Sequence, residues 1–441
     1  SLGIISSFIS IKMLLILILG LSMFLFFIID YSKIIYILSF YIFIDFFLRS
    51  YSPNLLLQSS WDEAFFVFCF ILWFIKRFIY QKKPLYKWTP LEFPIIGFII
   101  CCIFELFLTT PDKQIGIEGF RVIFEYILCY FIIIQLLSSK TSAKLSIYFL
   151  LLVGTMIGLH GIYQYIIAVE IPSEWIDSSE HVRTRVFSII GSPNILGSLM
   201  ILLIPISISL IFAEKKYGKK LLALTSTIIL IFCLIFTMSR AAWLGFIIAL
   251  VIYAIIKDKR FIIPLIAGAI LLIVFVPPVT TRINFLLSDT YVMKSSKDGR
   301  IYRYTKGLEK LMEKPISGVG LGHFGGAVAV NNNIEDTFYM DSYFLKTAVE
   351  TGFAGLAFFL IMIYNSLIWG FRSLKKLKSS DLYYYKLTQG ILTGMCGVIF
   401  HNLFENIFEV PMMVTYYWLL AGIVIYLGYI GESKNKPVNF F

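Results

Sequence analysis

The sequence predicts an all-α polytopic membrane protein, and three observations carry that prediction. Of its 441 residues, 59% are hydrophobic and only 15% charged, with a mean hydropathy of +0.84, whereas soluble domains carry about 25% charged residues. Apolar runs long enough for a helix to cross roughly 30 Å of hydrocarbon recur along the whole chain. Finally, the lysines and arginines that give a formal net charge of +11 cluster in short loops between those runs, which is the pattern of membrane topology rather than nucleic-acid binding.

Taken in order, spans are expected at 13–29, 34–48, 64–79, 91–108, 120–137 and 145–169. Further spans follow at 195–213, 221–237, 241–256, 261–276, 343–369, 387–408 and 412–430. The total is about twelve or thirteen crossings, because Asp30 and Lys33 mark either a tight hairpin or a polar interruption. The first span is expected to act as an uncleaved signal anchor. All six cysteines (Cys69, Cys101, Cys102, Cys129, Cys233 and Cys396) fall inside apolar runs, with neither a disulfide framework nor a zinc spacing. No internal repeat is visible.

Basic residues alternate from side to side. Lys76, Arg77, Lys82, Lys83 and Lys87 fall on one side, with Lys140 and Lys144, the 215–220 lysines, Lys257 to Arg260, and Arg372 to Lys378. By the positive-inside rule that side is the cytoplasm, and the C-terminus lies there too. The outward loops are unequal, and 170–194 and 277–340 are long. They hold the Gly, Pro, His and Asp residues, so an active site is expected to face outward. The chain divides into N-terminal spans, 1–182, and a region 183–441 that includes the large loop.

Against this rule stands Arg240 in TMSRAAWLGF, an arginine in a tight outward turn. A single arginine there also reads as a side chain snorkelling from a helix end. Arg183 and Arg185 in HVRTRVFSIIGSPN strengthen the other reading, an anion clamp, as do Arg300 and Arg303 in DGRIYRYTKGLEKLMEKP. The last segment predicts an amphipathic helix at the interface, ended by Pro315, with Ile301, Tyr304, Leu308 and Leu311 on one face. It is followed by GVGLGHFGG, whose glycines permit close backbone approach but lack the strand and helix of a dinucleotide site. There is no P-loop and no Asp-x-Asp, His-x-x-x-His or Cys cluster, so neither ATP nor a metal cofactor is expected. Arginine is then the natural partner for a phosphate.

Transfer to a hydroxyl also needs a base. Asp341, at the outer mouth of its span, is one candidate, with a helix N-cap as its plainer reading. His323 in the glycine-rich loop is the rival, and it also reads as an ordinary loop histidine. Arg121 with Glu125, Lys346 with Glu350, and His401 with Glu405 stand four apart, where pairing would offset the roughly 2.5–3.5 kcal/mol cost of a charge at mid-bilayer. His160 and Gln164 read as packing polar groups.

The stretches RVFSIIGSPNILGS from 185, TMSRAAWLGF from 237, DGRIYRYTKGLEKLMEKPISGVGLGHF from 298, MDSYFLKTAVETGFAGL from 340 and FHNLFENIFEVP from 400 together resemble the O-antigen ligase and polymerase superfamily of bacterial membrane glycosyltransferases. The resemblance runs in order from about Arg183 to the C-terminus. It implies an undecaprenyl-pyrophosphate-linked glycan donor, a glycan or lipid acceptor hydroxyl, and inverting, metal-independent transfer on the outer face of the cytoplasmic membrane. Membrane lipids and envelope polysaccharide-assembly proteins are the further partners it implies. Arg185 and Arg240 match arginines the family uses on the donor pyrophosphate, and Arg183 and Arg300 are placed with them. His401, Glu405 and Glu350 are expected to support the site. Asp341 stands where the ligases carry a histidine, a departure that favours polymerase over ligase. A lipid-linked glycan transporter is the alternative of another class, but it predicts paired repeats and Gly/Pro-broken spans in corresponding positions, and the sequence shows neither.

Overall fold

The computed structural model describes residues 30–51, 55–81, 86–172, 175, 184–257, 259–263, 267–268, 277–297 and 299–430. Among these residues every regular element is a helix, as a solvent that cannot hydrogen-bond to the backbone requires. Six helices are long and apolar enough to cross a membrane: Lys140–Ile166, Pro193–Ala213, Tyr217–Phe236, Arg240–Lys257, Tyr343–Ser380 and Pro411–Ile430. The pair Tyr31–Ser39 and Tyr41–Tyr51, bent by 67°, makes a seventh if it is one span. The all-α polytopic membrane fold is as the sequence predicts.

The other expected spans depart from full-length helices for local reasons. Residues 13–29 and most of 261–276 lie outside the described residues. Helix Glu92–Leu108 has 17 residues. The run at 120–137 is divided into Lys113–Phe124, a tight turn at Glu125–Ile127, and Leu128–Leu136. Helix Leu382–His401 stops well short of residue 408, and 402–406 become a turn.

Helix Pro193–Ala213 is deeply enclosed, with 83% of its apolar stretch buried, second among the six to Pro411–Ile430 at 94%. It packs on Leu382–His401, where Gly390 and Gly394 lie against the carbonyls of Pro205 and Leu202. A side chain at either glycine would hold the two backbones apart, and close approach is what drives helix association in lipid. The basic loops converge at the far end of this helix, where Lys144 is 2.9 Å from Glu214 and Tyr383 donates to Glu214 at 2.6 Å. Its N-terminal end is about 30 Å away, and the arginine-bearing motifs gather there.

Helix Tyr343–Ser380 is broken at Gly352, whose φ of +64° is open to glycine at little cost. The backbone groups freed by the break are taken up by residues 315–320. Val319 N–H donates to Val349 O at 2.9 Å, Gly320 N–H to Glu350 O at 3.0 Å, and Phe353 N–H to Pro315 O at 2.7 Å. Irregular backbone is thus tolerated because another segment satisfies it. The expected amphipathic helix is present as Arg300–Glu313, and it stops before Pro315, as the residue preceding proline disfavours helix. Leu311 joins a small core with Phe324, Met340 and Val349, while Ile301 and Leu308 are exposed. The large loop also folds into Pro277–Leu286, Asp289–Lys297 and Ala327–Asn331.

Candidate active site

Arg185 is held before any ligand arrives. Its segment lies extended along the end of helix Tyr217–Phe236, with Val186 N–H donating to Phe236 O at 3.1 Å. The guanidinium donates to Thr237 O at 3.2 Å, Trp175 O at 2.9 Å and Asn194 Oδ1 at 3.1 Å. Asn194 is fixed in turn by its place in the first turn of Pro193–Ala213, which starts with proline behind the Ser192 cap. Arg185 is only 8% exposed. Burial lowers its affinity for the proton to a pKa of about 10, with Glu405 opposing and Arg240 and Arg300 adding to the fall. The guanidinium stays charged at neutral pH.

Arg240 opens the next helix, which Ser239 begins by accepting Ala242 N–H at 3.4 Å. Its guanidinium lies 5.2 Å from the Tyr291 ring and 5.8 Å from the Phe285 ring, both supplied by the large loop. An arginine covered by aromatic rings is attracted to their faces, which a side chain snorkelling into headgroups would not be. Arg300 and Arg303 stand one turn apart at the start of Arg300–Glu313, a helix end that itself favours anions. Arg300 donates to Glu405 Oε2 at 3.4 Å and stands 4.0 Å from Asp341 Oδ1. Arg303 is 3.3 Å from Asp341 Oδ2.

Asp341 does not cap its helix. Ser342 does so, accepting Leu345 N–H at 3.3 Å, which removes the plainer reading of the aspartate and leaves its carboxylate to the arginines. The two turns are locked together, since Tyr343 N–H donates to Asn402 O at 3.0 Å and Tyr304 Oη donates to the carbonyls of Asp341 and Leu403. Glu405, on the 402–406 turn, accepts from Asn194 Nδ2 at 2.5 Å. Asn194 therefore ties Arg185 to Glu405. Burial pushes the Glu405 carboxyl up to about 7; Arg300, Arg185 and Asn194 draw it down and Asp341 adds to the rise.

Of the residues expected in the site, the structure brings together Arg185, Arg240, Arg300, Asp341 and Glu405. Arg183 lies outside the described residues. His323 has its ring nitrogens at Leu321 O, 2.8 Å, and Asp112 N–H, 3.4 Å, contacts that fasten its loop to the start of Lys113–Phe124. His401 and Glu405, four apart in the sequence, do not share a helix, because the helix ends at His401; the imidazole meets Ser198 Oγ at 2.5 Å. Glu350 pairs with Lys346 at 3.1 Å as its spacing predicts, and Lys346 also reaches Glu409 at 2.8 Å. Arg121 likewise pairs with Glu125, at 3.3 Å, and with Glu63, at 2.9 Å. Gln164 accepts from Ser188 N–H at 2.6 Å and His160 meets Ser188 Oγ at 3.0 Å, so both pack the turn behind Arg185.

Sequence reasoning passed over Asn194, Tyr291 and Phe285. Asn194 had a usable signal, a polar side chain in the first turn of a very apolar span. The two rings had none, since an aromatic residue in a loop is ordinary. With Arg303 included, four guanidiniums and two carboxyl groups share the site, leaving an excess of positive charge before any ligand is bound.

Residues 225–360 match the family model described as O-antigen ligase. A curated relative, the O-antigen ligase of Salmonella typhimurium, is 26% identical over 261 residues. That match covers 56% of this chain and 61% of the relative's length. The resemblance to the O-antigen ligase and polymerase superfamily is borne out, and the matched region contains Arg240, Arg300, Arg303 and Asp341.

Proposed function

On the premise of that kinship, we propose that the protein is a membrane glycosyltransferase that moves a glycan from a polyprenyl pyrophosphate to an acceptor hydroxyl in surface-polysaccharide assembly. One observation supports the reading: four arginines gather at one end of the bundle, two of them paired with Asp341 and Glu405, and the site carries an excess of positive charge. A pyrophosphate esterified at both ends bears one negative charge on each phosphate, which balances that excess, and arginine forks match phosphate oxygens. Arg185 and Arg240, positioned by backbone carbonyls and aromatic rings, hold the pyrophosphate, with Arg300 and Arg303 approaching from the loop.

As the bond from the anomeric carbon to the pyrophosphate breaks, the leaving group gains a negative charge, and preformed guanidiniums stabilise it without reorganising. The acceptor oxygen attacks from the opposite face, inverting the carbon, and its proton passes to Asp341. In this scheme charge moves from Asp341 to the leaving pyrophosphate, both within the one arginine cluster, so no metal is required. The site is placed at the outer face of a bacterial cytoplasmic membrane, opposite the lysine-rich loops, with undecaprenol as the carrier.

Asp341 in place of a histidine favours a polymerase, whose acceptor is a second lipid-linked glycan. The name of the Salmonella typhimurium relative favours the second reading, ligation to lipid A core or another acceptor. Purified protein supplied with lipid-linked donor separates the two. A polymerase yields a ladder of lengthening glycans, a ligase yields one shift on a separately added acceptor, and no transfer in either assay contradicts the proposal.

A further inference from the structure

The arginine site is assembled from two halves that lie far apart in the chain. Arg185 and Arg240 stand at the ends of neighbouring spans, one alongside the last residues of Tyr217–Phe236 and the other opening Arg240–Lys257. Arg300 and Arg303 come from the large loop, and Asp341 directly precedes the cap of Tyr343–Ser380. A continuous chain of polar contacts joins the halves. Arg185 Nη2 donates to Asn194 Oδ1 at 3.1 Å, and Asn194 Nδ2 donates to Glu405 Oε2 at 2.5 Å. Arg300 Nη2 donates to that same carboxylate oxygen at 3.4 Å, while Arg300 Nε stands 4.0 Å from Asp341 Oδ1. The halves meet at Asn194, which is 211 residues from Glu405 in sequence.

An amide suits that place for three reasons. It accepts on one atom and donates from the next, whereas a carboxylate only accepts and an ammonium only donates. It is neutral, so it joins a cation to an anion without changing the charge of the site. Its direction is also fixed, because Asn194 lies in the first turn of Pro193–Ala213, directly behind the Ser192 cap and Pro193. Turning the amide over would set its N–H groups against the guanidinium and its oxygen against the carboxylate.

We propose that Asn194 is a positioning residue for transfer, whose amide holds Glu405, and through it Arg300, at the spacing from Arg185 that lets one pyrophosphate be met from both halves beside Asp341. The inference rests on the proposed glycosyl transfer and adds to it the part that aligns the two halves. Without the amide, Arg185 still has the carbonyls of Thr237 and Trp175, so the donor half stays in place while the acceptor half loses its alignment. The loss therefore falls on kcat more than on KM for the donor.

The test is the pH profile of kcat for the detergent-purified full chain with lipid-linked donor, read as the ratio of each variant to wild type. Asn194→Asp keeps the shape but sets a second carboxylate against Glu405, where the amide N–H stood at 2.5 Å. Two carboxylates so close hold one proton well above the usual carboxylate range, and that proton restores the missing donor. Arg185, Arg300, Asp341 and Tyr304, whose charges are felt at Glu405 or feel its own, are the same in both proteins, so the ratio isolates the added carboxylate. It should be lowest near pH 9, about tenfold or more below wild type, and climb as the pH falls toward about 6, with KM for the donor little changed. Asn194→Ala has no group to protonate and should be low at every pH. Asn194→Asp/Glu405→Gln returns an N–H donor from the opposite side, so it should recover part of the loss at high pH and show no climb. A flat ratio for Asn194→Asp, wild-type kcat in Asn194→Ala, or a double variant no better than Asn194→Asp near pH 9 overturns the inference and leaves the glycosyl-transfer reading standing. A wild-type protein that transfers no glycan overturns that reading and the inference with it.

Discussion

Each charged side chain in the site has a second group that fixes its direction. Arg185 has three backbone and amide acceptors, and Arg240 has two ring faces. Replacing Arg240 by Ala should lower turnover by about two to three orders of magnitude, the usual loss when one stabilising donor is removed. Arg240→Lys should recover only part, since an ammonium cannot form the planar two-pronged contact; steady-state rates with lipid-linked donor check both. Asp341 and Ser342 are neighbours with separable tasks. Ser342→Ala should cost about 1 kcal/mol of stability through the lost cap, with turnover little changed. Asp341→Asn should fold normally yet transfer about 10²-fold more slowly or worse. Arg185, Arg240 and Asp341 were legible in the sequence because charge in an apolar chain stands out, and outward arginines oppose the topology rule. Asn194 and Tyr291 were not, because one amide or one ring carries no periodic signal until its partners are known.

At the scale of elements, the break at Gly352 joins the large loop to the bundle. With φ at +64° and the Ile316 carbonyl against the position a Cβ would take, Gly352→Ala should destabilise the protein by more than about 2 kcal/mol. The melting temperature in detergent should fall accordingly, and turnover should fall with it, since residues 315–320 follow directly on the helix that carries Arg300 and Arg303. The sequence reads 343–369 as one uninterrupted span because hydropathy averages over the break. The segment that stabilises it is some thirty residues away, and no local propensity reports it. The amphipathic helix Arg300–Glu313 was legible from its period, and its Pro315 stop from local sterics. The turn at 402–406 was not, because Leu403, Phe404, Ile407 and Phe408 continue an apolar pattern while Asn402 and Asn406 bend it, donating to Val398 O at 2.9 Å and Gly325 O at 3.1 Å.

For the molecule as a whole, the six long helices hold a cationic site about one helix length from the basic loops, and the site's charge balance sets a pH dependence. Burial raises the folded Glu405 carboxyl to about 7, above its ordinary value of about 4.3. Between those values the folded protein holds a proton that the unfolded chain releases, so stability falls as pH rises, by at most about 1.4 kcal/mol per unit. Melting temperature should therefore decline from about pH 5 to 7 in the wild type, and Glu405→Gln should flatten that slope. Saturating chelator should leave glycan transfer intact; loss of activity that magnesium or manganese restores would show that the arginines do not act alone. The most direct test of the central claim is to measure lipid-pyrophosphate binding and glycan transfer on the same purified preparations. The account predicts that Arg185→Ala and Arg240→Ala lose both, whereas Asp341→Asn keeps binding and loses transfer. Wild-type binding by the arginine variants, or wild-type transfer by Asp341→Asn, would contradict it.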